Sequence, residues 1–470
     1  MRMYVAGQWI DKAQTIPVEN PYDRSVIDTV PRADRGDVAR ALESAVRGAR
    51  AMAKLSGYDR YQILHKAAQL MAARQEELGR TISTEEGKVL AEGRLEANRA
   101  IETVQGSAEE AKRLHGETVP VDGAPGGAGK LAFTLRVPCG VVLAISPFNF
   151  PLNLVCHKVG PAIAGGNAVI VKPASDTPLS ALKLTEILLE AGLPAEGIQC
   201  LTGSGGEIGD LLGADARVRK ITFTGSRDVG EHICKIAGLK KVTMELGSNS
   251  PVIVMPDADL GKVAEAVAAT GYANAGQVCI STQRVLTIGK IYGDFLEALK
   301  VKVDALTTGN QLDESVKVGP MVREKDAIRV EEWVREAVAG GARLVTGGKR
   351  DGAIYQPTVV ADVKPEMRIS CDELFGPAVA VTRVESIEEA IALANGTNYG
   401  LSASIFTESI EWALRFAREV EAGSLHINWG PGWRADLMPH GGLKESGMGK
   451  EGPRYAVEEM TELKLVVFHM

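Results

Sequence analysis

Cysteine is scarce. The chain has six in 470 residues, none spaced CxxC, which excludes a disulfide scaffold and points to a cytoplasmic setting where each cysteine is either buried filler or chemistry. Long apolar runs are lacking too. No window approaches 18 uninterrupted apolar residues, so a membrane span is excluded on length. The opening MRMYVAGQWIDKAQ has no apolar stretch behind a basic start, and no signal peptide is expected. Basic charge is not in excess: 53 Lys+Arg stand against 60 Asp+Glu, a formal −7, with a pI of about 5.7. That argues against nucleic acid or an anionic membrane as partner. No strict GxGxxG opens a helix. LTGSGGEIG (201–209) and FTGSRDVG (223–230) come near it, and the second is no Walker loop because no Lys-Ser/Thr follows. Each glycine cluster alone suits a helix-capping turn as well as a phosphate-facing one. No metal site is expected.

What is present is globular: 45% apolar and 24% charged residues, enough chain for two or three domains. Val38, Ala41, Leu42, Ala45, Val46 and Ala49 form a helical stripe over 35–55, and 59–115 continues as long amphipathic helices. The segment 116–136 breaks this with glycines, prolines and alternation and predicts a protruding hairpin. From Val137 short apolar runs, GVVLAIS (140–146), AVIVK (168–172), IQCL (198–201) and KITF (220–223), are separated by helical stretches such as Leu179–Ala191. Strands alternating with helices predict an α/β fold with a doubly wound parallel sheet, which binds ligands at the carboxyl ends of its strands. A second series runs through PVIVM (251–255), RVLTI (284–288), RLVTG (343–347), AVAVTRV (378–384) and SLHIN (424–428), with MELGSNS (244–250) as the hinge. The closing LKLVVFHM is an apolar strand without an obvious partner, of the kind that pairs with another subunit.

Three segments read together become specific: SPFNFPLNL (146–154) after a strand end, MELGSNSP (244–251) with a carboxylate beside a flexible turn, and GQVCIS (276–281) with a cysteine after a glycine. With KPAS (172–175), FTGSRDVG, DELFGP (372–377) and GGLKESGMGKEG (441–452), they resemble the NAD(P)-dependent aldehyde dehydrogenase superfamily over essentially the whole chain. The resemblance implies Cys279 as the nucleophile, since a thiolate adduct can expel hydride. It implies Asn149 as the amide donor to the developing alkoxide and Glu245 as the general base for thioester hydrolysis. Glu245 separates the chain from the CoA-acylating branch, so free acid is the expected product.

For the cofactor, the resemblance implies Lys172 at the ribose, Gly225 and Ser226 at the pyrophosphate, and Glu373 with Phe375 at the nicotinamide ribose. Many NAD-specific members carry Glu where this chain has Ser175. A carboxylate there would repel a 2′-phosphate, so its absence implies that NADP is accepted, with preference left open. Ser175 equally suits a cap for a helix beginning at Thr177 or Pro178.

Arg99 falls at a tunnel-wall position, His157 where a bulky aromatic is common, and His440 (MPHGG) replaces the family's usual Phe. Cation-capable groups near one mouth favour a short anionic or hydroxylated aldehyde, and FNFPLNLVCHK resembles the lactaldehyde, phosphonoacetaldehyde and related small polar aldehyde enzymes. Arg99 could instead pair with Glu96 or Glu102 on its own helix. Trp429, Trp433 and Arg434 lie in the loop that usually sets specificity, with directions that sequence does not give; Arg284 is expected to be structural. A CoA-acylating enzyme, a hydrolytic enzyme for apolar or aromatic aldehydes, and a non-catalytic relative are the alternatives. The expected division is a cofactor-binding domain from 1–115 and 137–247, a catalytic domain over 248–437, an oligomerisation element from 116–136 and 456–470, and a return of 438–455 to the cofactor domain. A homodimer or homotetramer follows from the resemblance.

Overall fold

A computed structural model describes residues 1–470. Its larger sheet has eight strands in the order Gln8–Ile10, Met3–Val5, Ile198–Cys200, Ala168–Lys172, Val141–Ile145, Val218–Thr224, Lys241–Glu245, Gly447–Met448. The five in the middle are parallel, and the flanking ones are antiparallel. Val141–Ile145 and Ala168–Lys172 are buried at every position, because helices cover both faces and no side of the strand meets water. Strand order reverses at Val141–Ile145, so the carboxyl ends that carry 146–149, 172–175 and 225–226 face one crevice.

A second sheet has seven strands: Arg343–Thr346, Thr358–Ala361, Ala378–Val384, Arg284–Ile288, Pro251–Val254, Ser402–Phe406 and Ser424–Ile427. It is parallel except for its first pair. The expected parallel sheets are therefore present with antiparallel edges. Ser402–Phe406 and Thr358–Ala361 are strands that the apolar pattern does not mark, as is Lys241–Glu245, whose last two residues fall in the segment expected as the hinge.

The terminal strand is not without a partner in its own chain. Thr461–His469 pairs antiparallel with Lys130–Pro138 over nine residues, and Thr118–Val119 completes a three-stranded sheet. The pairing joins positions more than 300 residues apart, which local pattern does not register.

Helices supply the framework for the crevice. Asp34 caps Arg35–Met52 in a reciprocal arrangement with Asp37. The longest helix, Leu90–Arg113, lies against Asn153–Ala164 at a close crossing: a Cβ on Gly160 would meet Ser107 Oγ at 2.6 Å. That crossing brings Arg99 and His157 within reach of one carboxylate. No helix is long and apolar enough to cross a membrane.

Candidate active site

Strand ends from the two sheets converge. Asn149 follows Val141–Ile145, Gly225 and Ser226 follow Val218–Thr224, and Glu245 ends Lys241–Glu245. Cys279 precedes Arg284–Ile288, while Glu373 and Phe375 precede Ala378–Val384. Asn149, Gly225, Ser226, Cys279, Glu373 and Phe375 line one cavity of about 260 Å³. A second cavity, of about 150 Å³, reaches the neighbouring Val278 and is walled by Lys88, Glu92, Glu96, Arg99 and Phe150 among others.

The loop bearing Cys279 is sharply bent. Asn274, Ala275 and Gly276 all have positive φ (50°, 51° and 71°), and a Cβ on Gly276 would lie 2.1 Å from Gly376 O. Only glycine tolerates that approach. Asn149 is buried, and its Nδ2 donates to Gln277 O at 2.8 Å, which ties the two strand ends together beside the thiol. Burial pushes the Cys279 thiol up to about 12; Arg434 opposes this and Glu245 adds to it. The resting group is a thiol.

Glu245 is buried, and neither carboxylate oxygen has a hydrogen-bond partner. Burial, and then the charge of Glu451, hold it well above the usual carboxylate range. His440 Nε2 lies 3.8 Å from Glu245 Oε2. Burial and then Arg434 push His440 well down, keeping it neutral.

Behind these lies a charge network that the motifs did not reveal. Lys158 Nζ donates to Thr224 Oγ1 at 2.6 Å and Glu451 Oε1 at 2.9 Å. Arg434 donates to Glu451 Oε2 at 3.2 and 3.3 Å. Burial would raise Glu451, yet Lys158 and Arg434 hold it below the usual range. Arg99 forms a two-pronged pair with Asp436, 2.9 Å on each prong, rather than meeting Glu96 or Glu102. Asn153 Nδ2 donates to the same carboxylate at 3.0 Å. His157 Nε2 lies 2.8 Å from Asp436 Oδ1, while its Nδ1 has no partner. Burial and then Arg434 lower its pKa, and its Nε2 is shared between the Asp436 carboxylate and Arg434 Nη2, the latter at 3.1 Å. Arg99 thus reaches a cavity wall, whereas His157 and His440 line neither of the two cavities. Lys158 was the one legible sign: a lone ammonium in the otherwise apolar NLVCHKVGPAIA.

A profile of the Aldehyde dehydrogenase family matches residues 9–466. The chain belongs to that family. It is 49% identical over 468 residues to a 3-sulfolactaldehyde dehydrogenase of Priestia aryabhattai, covering 100% of this chain and 98% of the relative. Aldehyde dehydrogenase 21 from Physcomitrella patens, solved with its reaction product succinate, superposes with a TM-score of 0.97 at 39% identity, covering 99% and 98%. A glyceraldehyde-3-phosphate dehydrogenase from Methanocaldococcus jannaschii complexed with NADP gives 0.94 at 38%, covering 98% and 100%. The chain is thus an NAD(P)-dependent oxidoreductase acting on an aldehyde.

The aldehyde dehydrogenase's own residues fit a dinucleotide. Ser226 heads the helix Arg227–Ala237 without a side-chain cap bond, leaving its first N–H groups open to a phosphate. A Cβ on Gly225 would lie 2.4 Å from the Phe223 ring, so the turn stays bare. Lys172 Nζ is buried and donates only to Pro173 O, at 3.0 Å. Burial lowers it to about 8, and its remaining protons await an acceptor. Glu373 accepts from Ser248 N at 2.8 Å, and burial raises it to about 7. Phe375, at φ 51°, sets its ring edge-on to Phe148 with centroids 6.0 Å apart. Ser175 Oγ donates to Gly203 O at 3.0 Å. It does not cap the next helix, Leu179–Glu190, whose first amides Leu179 N and Ser180 N are held instead by Glu85.

Proposed function

We propose that this aldehyde dehydrogenase oxidises a short aldehyde bearing an anionic group, or failing that a hydroxyl, remote from its carbonyl, and releases the free acid. One observation carries the reading: in the enclosed network three cations, Arg99, Lys158 and Arg434, face only two carboxylates, Asp436 and Glu451. Burial pushes both histidines down and Glu245 up, away from their charged forms. Arg99, partly exposed in the wall of the second cavity, is the cation of this set that an anionic substrate can reach. The names of the relatives support it, since a sulfonate, a carboxylate and a phosphate figure in the three proteins compared.

In this reading the aldehyde enters beside Val278 with its anionic end at Arg99. Cys279 Sγ attacks the carbonyl carbon, forming the C–S bond as the carbonyl π pair moves onto oxygen, and the thiol proton passes to water. The free N–H of the Asn149 amide and the backbone N–H of Cys279 hold the developing oxyanion. A bound nicotinamide would supply the hydride acceptor, and loss of hydride from the tetrahedral adduct on Cys279 leaves a thioester. Glu245 then removes a proton from water, whose oxygen attacks the thioester carbon; the C–S bond breaks, Cys279 regains a proton, and the carboxylate leaves. Lys172, Ser226, Glu373 and Phe375 hold the cofactor, and Ser175 leaves room for a 2′-phosphate. His157 and His440 act from behind, on Asp436 and Glu245.

The sheet of eight strands serves the cofactor and the sheet of seven brings Cys279. The three-stranded sheet joins subunits: it exposes Leu131, Leu135 and Phe468 on one face and Leu463, Leu465 and Val467 on the other. Six free cysteines fit a reducing cytoplasm. Reduced-cofactor formation with NAD and NADP over 3-sulfolactaldehyde, lactaldehyde, succinate semialdehyde and phosphonoacetaldehyde, against hexanal and benzaldehyde, tests the reading. Preference for the first group is expected; preference for hexanal or benzaldehyde overturns the substrate class and leaves the reaction class standing.

A further inference from the structure

The turn joining the helices Gln75–Glu86 and Leu90–Arg113 carries charged groups that the reaction above does not use. Lys88 and Glu86 are buried on that turn, with Glu96 two turns further on. Lys88 Nζ donates to Glu96 Oε2 and to the carbonyl oxygen of Asn149, both at 2.7 Å, and sits 3.9 Å above the Phe150 ring. Glu96 Oε1 accepts from Leu152 N at 2.9 Å and Asn153 N at 3.1 Å. Glu86 accepts from Lys88 N and from Asn274 Nδ2, each at 2.9 Å. Glu92 accepts from Asn274 N at 3.0 Å, and Asn274 Nδ2 donates again to Asn149 O at 3.1 Å. One turn therefore holds both the Asn149 segment and the left-handed Asn274–Gly276 segment that leads to Cys279.

Stability gives a poor reason for this arrangement. A buried ion pair recovers little more than its desolvation cost, and an apolar pair of like volume would pack as well. Orientation gives a better one. The Asn149 peptide is held at its carbonyl by two donors, and its side chain is held at one N–H by Gln277 O. An amide NH2 has two protons, so the second is aimed by elimination.

We propose that Lys88 is a positioning residue of the oxyanion site: its ammonium, anchored by Glu96, pins the Asn149 carbonyl and thereby aims the Asn149 amide past Cys279 Sγ, while Glu86 and Glu92 hold the Asn274 turn in register with it. The proposal rests on the roles assigned above to Asn149 and Cys279. Removing the ammonium lets the Asn149 amide drift while the thiol stays reachable.

The test compares Lys88→Met, Asn149→Ala and the double variant in the rate of the first turnover of reduced cofactor, with iodoacetamide alkylation of Cys279 as a second readout that needs no oxyanion donor. Lys88→Met is expected to slow the first turnover about 10- to 100-fold, the scale of a misplaced rather than a missing donor, with alkylation unchanged. The double variant is expected to be no slower than Asn149→Ala, because both changes act through one amide. A wild-type first turnover in Lys88→Met while Asn149→Ala is slow, multiplicative losses in the double variant, or loss of alkylation in step with turnover each overturn the proposal. A wild-type rate in Asn149→Ala overturns the role of Asn149 and the proposal with it. Should Lys88→Met not fold, leaving Glu96 unpaired, Lys88→Met/Glu96→Gln removes both charges and is read by the same outcomes.

Discussion

Glu245 shows how burial sets a residue's task. A buried carboxyl with two unpartnered oxygens holds its proton more tightly than an exposed one, so in the proposed reaction hydrolysis by Glu245 needs a pH high enough to free the base. Steady-state turnover is expected to climb with pH across the neutral range, and Glu245→Gln to lose turnover by about 10²–10⁴-fold while sparing the first turnover. Stopped-flow measurement of reduced cofactor checks both, and disappearance of the first turnover would remove Glu245 from deacylation. The same group links to stability. Its folded pKa lies above the ordinary carboxyl value of 4.5. Its contribution is therefore fully present below that pH and is lost as pH rises through the folded value. The Tm of Glu245→Gln relative to wild type should rise as pH climbs from the ordinary carboxyl value toward the raised folded one, and a constant difference would contradict a carboxyl whose pKa burial has raised. Arg99 makes a separate prediction. Arg99→Met leaves two cations against two carboxylates. KM for an anionic aldehyde should rise about 10- to 100-fold, the worth of one charge-assisted hydrogen bond, with kcat for a neutral aldehyde little changed.

At the level of elements, the site depends on close approaches that leave no room for a side chain. The crossing at Gly160 and Ser107 fixes Asn153–Ala164 against Leu90–Arg113. Gly160→Val should cost about 1–3 kcal/mol through overpacking and impair activity more than cofactor binding, read by denaturant unfolding and fluorescence titration of NADPH. The same scale explains what sequence could tell. Val141–Ile145 and Ala168–Lys172 were legible because both faces are buried and the apolar run is unbroken. Ser402–Phe406, opening on small and polar residues, becomes a strand only through its neighbours. Cys279, Glu245 and Asn149 stood out through motifs. Asp436 did not, because its partners Arg99 and His157 lie 337 and 279 positions away, and nothing local in ADLMPH announces them.

The whole molecule turns outward at its three-stranded sheet. Apolar side chains on both faces of a sheet with open edges call for cover. In the oligomer proposed for this sheet, Leu465→Glu with Val467→Glu is expected to lower the light-scattering mass toward the 50.0 kDa of one chain; a wild-type mass of 50.0 kDa, or a mass unchanged by the substitutions, would contradict that contact. Inward, the two larger sheets meet at a crevice where three cations share two carboxylates, and the proposed use of Arg99 by an anionic substrate is the centre of the account. It is tested most directly by kcat/KM for two aldehydes of one length that differ only in charge, succinate semialdehyde and its primary amide. The account predicts that the carboxylate is favoured by about 10- to 150-fold, the range spanned by a hydrogen bond to a charged group, and that the gap closes in Arg99→Met. Equal values for the pair in the wild-type enzyme would contradict it.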